Sequence, residues 1–507
     1  MKNIDSLTQQ TIDTLTKKVS ELESIVKKQS LYITQLEDRI GQLLRHRFGT
    51  RSEKFINDLQ YNLFGEPLPD EEPEPEAREP ANDSGTRRSR KKKGISYPDD
   101  LEVREKIVDI DNKTCPCGNE LNVIGQDVSD KINCIPAKFF IDRTIYIKRA
   151  CSCGDNIQTA KAEPRILPKI KIADELLAQI VIAKFVDRQP LYHLEHKFNS
   201  RYQVSIPRAN MARWIIDLSE QFQPLINLMW DQFSEYDIGS LDATGLQVLK
   251  EDGRKPQTKS KVWCFIGGIN PVVLFEYNDK KHKNFLHYKL LDFVGTLHGD
   301  ADVCYEGLNI SYCHAHNRRY YEVVHKATNK DGVATHILNE YQKLYKIEKE
   351  IKGLSPDTIK SIRQKRSKPI LLEMKQYLDG RILQMVPKSR IAKAAAYTLN
   401  HWNGFMKYLH DGRLSIDNNH TERVIRKFVI PRNNFMFADT VKGAKALCIH
   451  FSMIQTAIAN NLEPYQYYVD IMKALPYCKT VEDYEDLLPW NINKHVLYKH
   501  RLLEGVA

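Results

Sequence analysis

The sequence predicts a multidomain α+β protein in which helical segments flank a mixed α/β core. Three observations carry that expectation. A seven-residue apolar repeat opens the chain, two cysteine pairs bracket a strand-patterned segment, and past residue 235 the apolar period switches from helical spacing to alternating or continuous strands. The 507 residues suffice for several domains with at least one large core. Against 65 Asp and Glu stand 75 Lys and Arg, a formal charge of +10 that favours polyanionic partners but is modest for this length. The N-terminal MKNIDSLTQQ has no apolar signal region, and no run reaches the roughly 18 apolar residues of a membrane span. A cytoplasmic protein without membrane contact is expected. Ten cysteines in that compartment read as metal ligands or buried side chains rather than as a disulfide framework.

Residues 1–60 are expected to hold a coiled coil. Ile12, Val19, Val26, Ile33 and Ile40 occupy one heptad position, and Leu15, Leu22, Gln29, Leu36 and Leu43 the other. β-Branched residues at a with Leu at d favour a parallel dimer, with Gln29 setting register. Residues 61–98 are Pro-rich and acidic, then basic from Arg87 to Lys93, which predicts a disordered charged linker. Residues 99–162 form a small zinc-binding module in this reading, with Cys115, Cys117, Cys151 and Cys153 as tetrahedral Zn²⁺ ligands and Cys134 as an alternative. Each pair encloses one residue, where zinc ribbons usually enclose two. Residues 163–232 read as a helical, helix-turn-helix-like DNA-binding domain. Its first stripe is Ile172, Leu176, Leu177, Ile180 and Val181, a short helix follows Pro190, and Ser205 precedes a third that presents Arg208, Asn210 and Arg213. The same arrangement also serves as a structural connector.

Residues 233–440 carry the chemistry. Asp242 and Asp300 lie on or at the end of apolar strands, where an acid is costly unless it is paired or holds a cation. Further on, IDNNHTERVIRKF over residues 416–428 places Asn418, Asn419, Glu422 and Arg426 on one helical face. An ordinary surface helix with a Glu–Arg pair has the same pattern. Taken with the two aspartates, however, Glu422 completes a carboxylate set suited to two Mg²⁺ ions about 4 Å apart. Asn418 and Asn419 are then positioning or DNA-contacting residues, and Arg423 and Arg426 phosphate clamps. In CHAHNRRYY, His314 and His316 are expected to contact DNA or sit in the core, and Arg318 and Arg319 fit phosphate binding. The 122 positions separating Asp300 from Glu422 require a helical insertion, at about 325–405, with a stripe from Val333 through Ile337, Tyr341 and Leu344. Residues 441–507 are expected to form a helical C-terminal region.

The strings FGTRSEKF, QPLYHLEHKF, DAT, GTLHGD, CHAHNRRYY, the long WNGFMKYLHDGRLSIDNNHTERVIRKFVIPRNNFMFAD, EPYQYY and DLLPWN resemble, almost end to end, transposases of the insertion sequence 66 family. That resemblance implies a DDE-type enzyme with an RNase H-like catalytic core and Asp242, Asp300 and Glu422 as the catalytic, Mg²⁺- or Mn²⁺-binding triad. It implies cleavage of transposon ends by hydrolysis and joining of the freed 3′-hydroxyl to target DNA. The partners implied are terminal inverted repeats and target DNA in a bacterial cytoplasm, at the nucleoid, with accessory proteins of the same element as further candidates. Ala243 stands where the family usually has an acid, and Ala301–Asp302 where it has Gly and Tyr, which leaves Asp302 as an alternative to Asp300. A non-catalytic zinc-containing DNA-binding regulator would explain the first 220 residues but not the acids. A glycosidase using paired carboxylates would leave the basic linker and coiled coil idle.

Overall fold

The structure, a computed structural model, describes Lys18 and residues 138–150, 157–159, 162–268, 271–279, 283–328 and 332–492. The heptad positions from Ile12 to Leu43, the charged linker, and Cys115, Cys117, Cys134, Cys151 and Cys153 lie outside these residues. A small antiparallel pair, β1 (Lys148–Ala150) and β2 (Ile157–Thr159), comes first. Helices α1 (Asp174–Phe185), α2 (Leu191–Tyr202), α3 (Arg208–Gln221) and α4 (Gln223–Ser234) follow. The three helices expected over 172–218 are all present. Pro190 and Pro207 immediately precede α2 and α3 with φ near −60°, already suited to a helical start. Ser205 does not cap α3. Instead Glu195 of α2 reaches across the turn and accepts the Arg208 N–H at 3.1 Å, so the cap comes from tertiary structure.

The central sheet has six strands: β3 (Ile238–Lys250), β4 (Lys259–Gly267), β5 (Val272–Asn278), β6 (Thr296–Gly299), β7 (Ile310–Tyr312) and β8 (Phe437–Thr440). Helix α5 (Lys283–Lys289) joins β5 to β6. Strand order is β5-β4-β3-β6-β7, with β8 also pairing β3. The first three strands form an antiparallel meander, whereas β6, β7 and β8 run parallel to the strands they pair. After β7 come α6 (His314–Thr328), α7 (Val333–Glu350), α8 (Pro356–Ile362), α9 (Lys368–Ile382), α10 (Arg390–Asn400) and α11 (Trp402–Met406), the expected helical insertion. Helix α12 (Asn419–Phe435) returns to the sheet, and α13 (Val441–Ala459), α14 (Pro464–Ala474) and α15 (Val481–Glu485) follow. No described helix is long and apolar enough to cross a membrane.

Residues directly opposite on neighbouring strands share a sheet face. Leu241, Phe265 and Leu274 are such partners, and Phe265 meets Trp230 and Phe233 of α4 at ring separations of 4.9 and 6.0 Å. Asp242, Cys264 and Phe275 occupy the opposite face. There Phe275 stacks on Phe428 of α12 at 5.5 Å, and both rings touch Phe451 of α13. The register therefore aims Asp242 at the face that α12 covers. One apolar core runs through α1 to α4, the sheet and α12 to α14. A second, built from Tyr321, Ile337, Tyr341, Leu344, Leu371, Met374 and Tyr408, holds the insertion together.

Candidate active site

Strand β3 changes partners along one edge. Residues Ile238–Ser240 pair with β6, Gln247–Lys250 pair with β8, and the stretch between has no strand beside it on that edge. Helix α12 fills the gap. The Asn418 side-chain amide donates to the Leu241 carbonyl at 3.3 Å, and Arg432 donates to the Thr244 hydroxyl at 2.8 Å and to the Gly245 carbonyl. Asp242 stands within that gap, its Oδ1 accepting the Ala243 N–H at 2.7 Å.

Asp300 is the first residue past β6 rather than within it. The β3–β6 register pairs Ser240 with His298, two positions before Asp242 and Asp300 respectively. Gly299 permits the approach of the two strands, since a Cβ there would lie 3.1 Å from the Leu241 carbonyl oxygen. Oδ1 of Asp300 is buried without a hydrogen-bond partner among the described residues. Burial, then the charges of Asp300 and Asp242, push the Tyr305 phenol well above its ordinary range. Asp302 is differently employed. Its Oδ1 accepts the Cys304 N–H at 3.0 Å and caps the short helical turn Val303–Tyr305.

Glu422 is buried in the first turn of α12. The single polar face expected for this helix is divided in the structure: Asn418 and Glu422 turn inward, whereas Asn419 and Arg423 are exposed and Arg426 is half-buried. Inward placement follows from Ile425 and Phe428, which share the face and anchor it in the core. Asn418 makes no cap bond to its own helix; its backbone N–H donates to Cys313 Sγ at 3.2 Å. His316 Nε2 lies 3.5 Å from Glu422 Oε1. Burial pushes the Cys313 thiol up to about 12, so it is a neutral thiol at physiological pH.

The two histidines of CHAHNRRYY differ in environment. His314 is buried, its Nε2 lies 2.9 Å from the Phe405 carbonyl, and burial lowers it to about 3, so it is a neutral core residue. Among the basic candidates, Arg208, Arg213, Arg319 and Arg423 are exposed, and Arg208 also lies over the Tyr192 ring at 5.7 Å. Arg318 pairs with Glu322 at 2.6 Å. Asp242, Asp300 and Glu422 do not form a ready-made ligand cluster: no three His, Cys, Asp or Glu among the described residues stand close enough to hold a metal ion. Tyr305, Cys313 and Arg432 were not singled out from sequence. Their roles depend on partners up to 188 positions distant, which leave no periodic trace.

The model for "Transposase IS66 family" matches residues 169–446, and that for "IS66 C-terminal element" matches 452–490. "Zinc-finger binding domain of transposase IS66" matches 112–154, a span containing both cysteine pairs, and "Transposase C of IS166 homeodomain" matches 35–105. Similar relatives include two uncharacterized proteins of Sinorhizobium fredii, y4jD and y4qI. The first is 27% identical over 501 residues, covering 93% of this chain and 97% of the relative; the second is 26% identical over 498, covering 93% and 92%. With the first of these family models spanning more than half of the sequence, the chain belongs to the IS66 transposase family.

Proposed function

We propose that the chain is a DDE-type DNA transposase that cleaves transposon ends and joins them to target DNA, with Asp242, Asp300 and Glu422 holding Mg²⁺ or Mn²⁺ in an RNase H-like core. Three antiparallel strands followed by two parallel ones, with a helical insertion before the helix bearing Glu422, support that reading of the core. The observation that supports the site is the β3–β6 register, which pairs Ser240 with His298 two positions before each aspartate, together with an Asp300 oxygen that is buried without a partner among the described residues. Three hard oxygen donors suit Mg²⁺ or Mn²⁺. Because Asp302 serves as a cap, Asp300 is the second ligand in this reading. When bound, the cation supplies Lewis-acid activation and charge stabilisation for phosphodiester displacement. Of the chain's own residues, Asn418 ties the start of α12, and with it Glu422, to β3.

Around this core we place a self-associating coiled coil at 1–60, a charged linker at 61–98, a Zn²⁺ module at 99–162, a DNA-binding helical domain at 163–232, the catalytic region at 233–440 and a helical region at 441–507. The exposed Arg208, Arg213, Arg319, Asn419 and Arg423 are available to phosphates, so DNA affinity falls with salt. Asp242→Asn, Asp300→Asn and Glu422→Gln should each abolish strand cleavage and joining while leaving binding to the element's ends largely intact. Normal cleavage by all three variants would refute the triad.

A further inference from the structure

Helices α6 and α12 begin side by side at the end of β7, and one atom joins them. The Cys313 N–H donates to the Gly299 carbonyl at 2.8 Å, which places the residue at the tip of β6. Its sulfur accepts the backbone N–H of Asn418 at the start of α12 at 3.2 Å, and the residue itself immediately precedes α6. Sulfur is a weak acceptor and is normally unsuited to helix capping. Its long C–S bond here lets the buried side chain ahead of α6 reach an orphan donor of the neighbouring helix α12. Next along α6, His316 directs Nε2 to Glu422 Oε1 at 3.5 Å, while its Nδ1 is buried without a hydrogen-bond partner among the described residues. Among the described residues, Glu422 is the acid that this ring pairs with. A histidine held for packing alone resembles His314, which bonds a backbone carbonyl.

We propose that Cys313 and His316 are positioning residues for Glu422: the sulfur fixes the first turns of α6 and α12 against each other, and the His316 ring holds the Glu422 carboxylate. This rests on the reading of Glu422 as a cation ligand. Groups that orient a ligand typically change cation affinity by roughly 10- to 100-fold when removed. The role differs from that of the acids themselves, since neither residue need touch the cation.

The test is calorimetric titration of the 507-residue chain with Mn²⁺ alone, with melting temperature recorded for each variant. Cys313→Ala and His316→Leu should weaken Mn²⁺ binding at least about tenfold, and His316→Gln, which keeps an N–H donor near the Nε2 position, should stay within about threefold of the parent. Rescue by Gln but not Leu at equal melting temperature is a result that packing alone would not produce. Parent-like affinity in both Cys313→Ala and His316→Leu, with binding lost in Asp242→Asn, would overturn the positioning role while leaving the acid site standing. Equal weakening by His316→Leu and His316→Gln would also overturn it. Parent-like affinity in Asp242→Asn would remove the ligand reading itself, and this inference with it.

Discussion

Arg363 shows how a buried charge can organise a segment far from it in sequence. Only 3% exposed, it forms a two-pronged pair with Glu348 at 2.9 and 2.6 Å. It also donates to the carbonyls of Tyr408, Asp411 and Leu414 at 3.0, 3.1 and 2.8 Å. These bonds fix the loop that leads into α12, and so the approach of Glu422 to the sheet. Arg363→Met should destabilise the protein by about 3–5 kcal/mol, because it strands a carboxylate and three carbonyls. A urea unfolding series yielding less than about 1 kcal/mol would show that water or rearrangement satisfies those groups. Composition around RQKRS suggests only a solvated basic stretch. The identities of Asp242, Asp300 and Glu422 as costly acids were legible in the sequence; the inward turn of Asn418 and outward turn of Asn419 were not, because adjacent amides look alike until the apolar anchors Ile425 and Phe428 orient the helix.

At the scale of elements, helix and strand identities followed from apolar period, and the insertion followed from the distance between acids. What closes the sheet did not. On β5 the backbone groups of Val273 and Phe275 face α13 rather than another strand. Thr456 accepts the Val273 N–H at 3.0 Å and donates to the Val273 carbonyl at 2.9 Å; Ser452 accepts the Phe275 N–H at 2.7 Å. The helix therefore covers an edge that would otherwise recruit a foreign strand. A hydroxyl paired with a backbone 183 positions away has no signature in the local pattern. Ser452→Ala and Thr456→Val should each cost about 1–3 kcal/mol by leaving a buried N–H unpaired. Urea midpoints for both singles and the double variant check this, and a double variant as stable as the parent would contradict it.

Over the whole molecule, the pH dependence of stability should be set partly by buried neutral histidines. His450 lies between α3 and α14, with Nε2 2.8 Å from the Ile215 carbonyl and Nδ1 3.0 Å from the Tyr468 hydroxyl. Burial lowers it to about 4, against a backbone bond to Ile215 that acts the other way. Because the folded value is depressed, the unfolded chain takes up the proton first. The stabilising contribution is present above about pH 6.5 and is lost as pH falls from there toward about 4, amounting to about 3 kcal/mol. His450→Gln should flatten the stability profile over that interval, and an unchanged slope would refute the assignment. The broad α+β organisation was readable from residue patterns because each segment carries its own period. That a single core joins α1 to α4, the sheet and α12 to α14 was not readable, since such packing is written in complementary shapes.

Asp300, rather than Asp302, is proposed to share a cation with Asp242 and Glu422. The most direct test is strand cleavage by Asp300→Cys and Asp302→Cys, each assayed with Mg²⁺ and with Mn²⁺. A thiolate binds the hard Mg²⁺ poorly and accommodates the softer Mn²⁺ better. Asp300→Cys should be inactive with Mg²⁺ and recover with Mn²⁺, whereas Asp302→Cys should cleave with either. The account is contradicted if Asp300→Cys cleaves normally with Mg²⁺, or if Asp302→Cys is the variant that requires Mn²⁺.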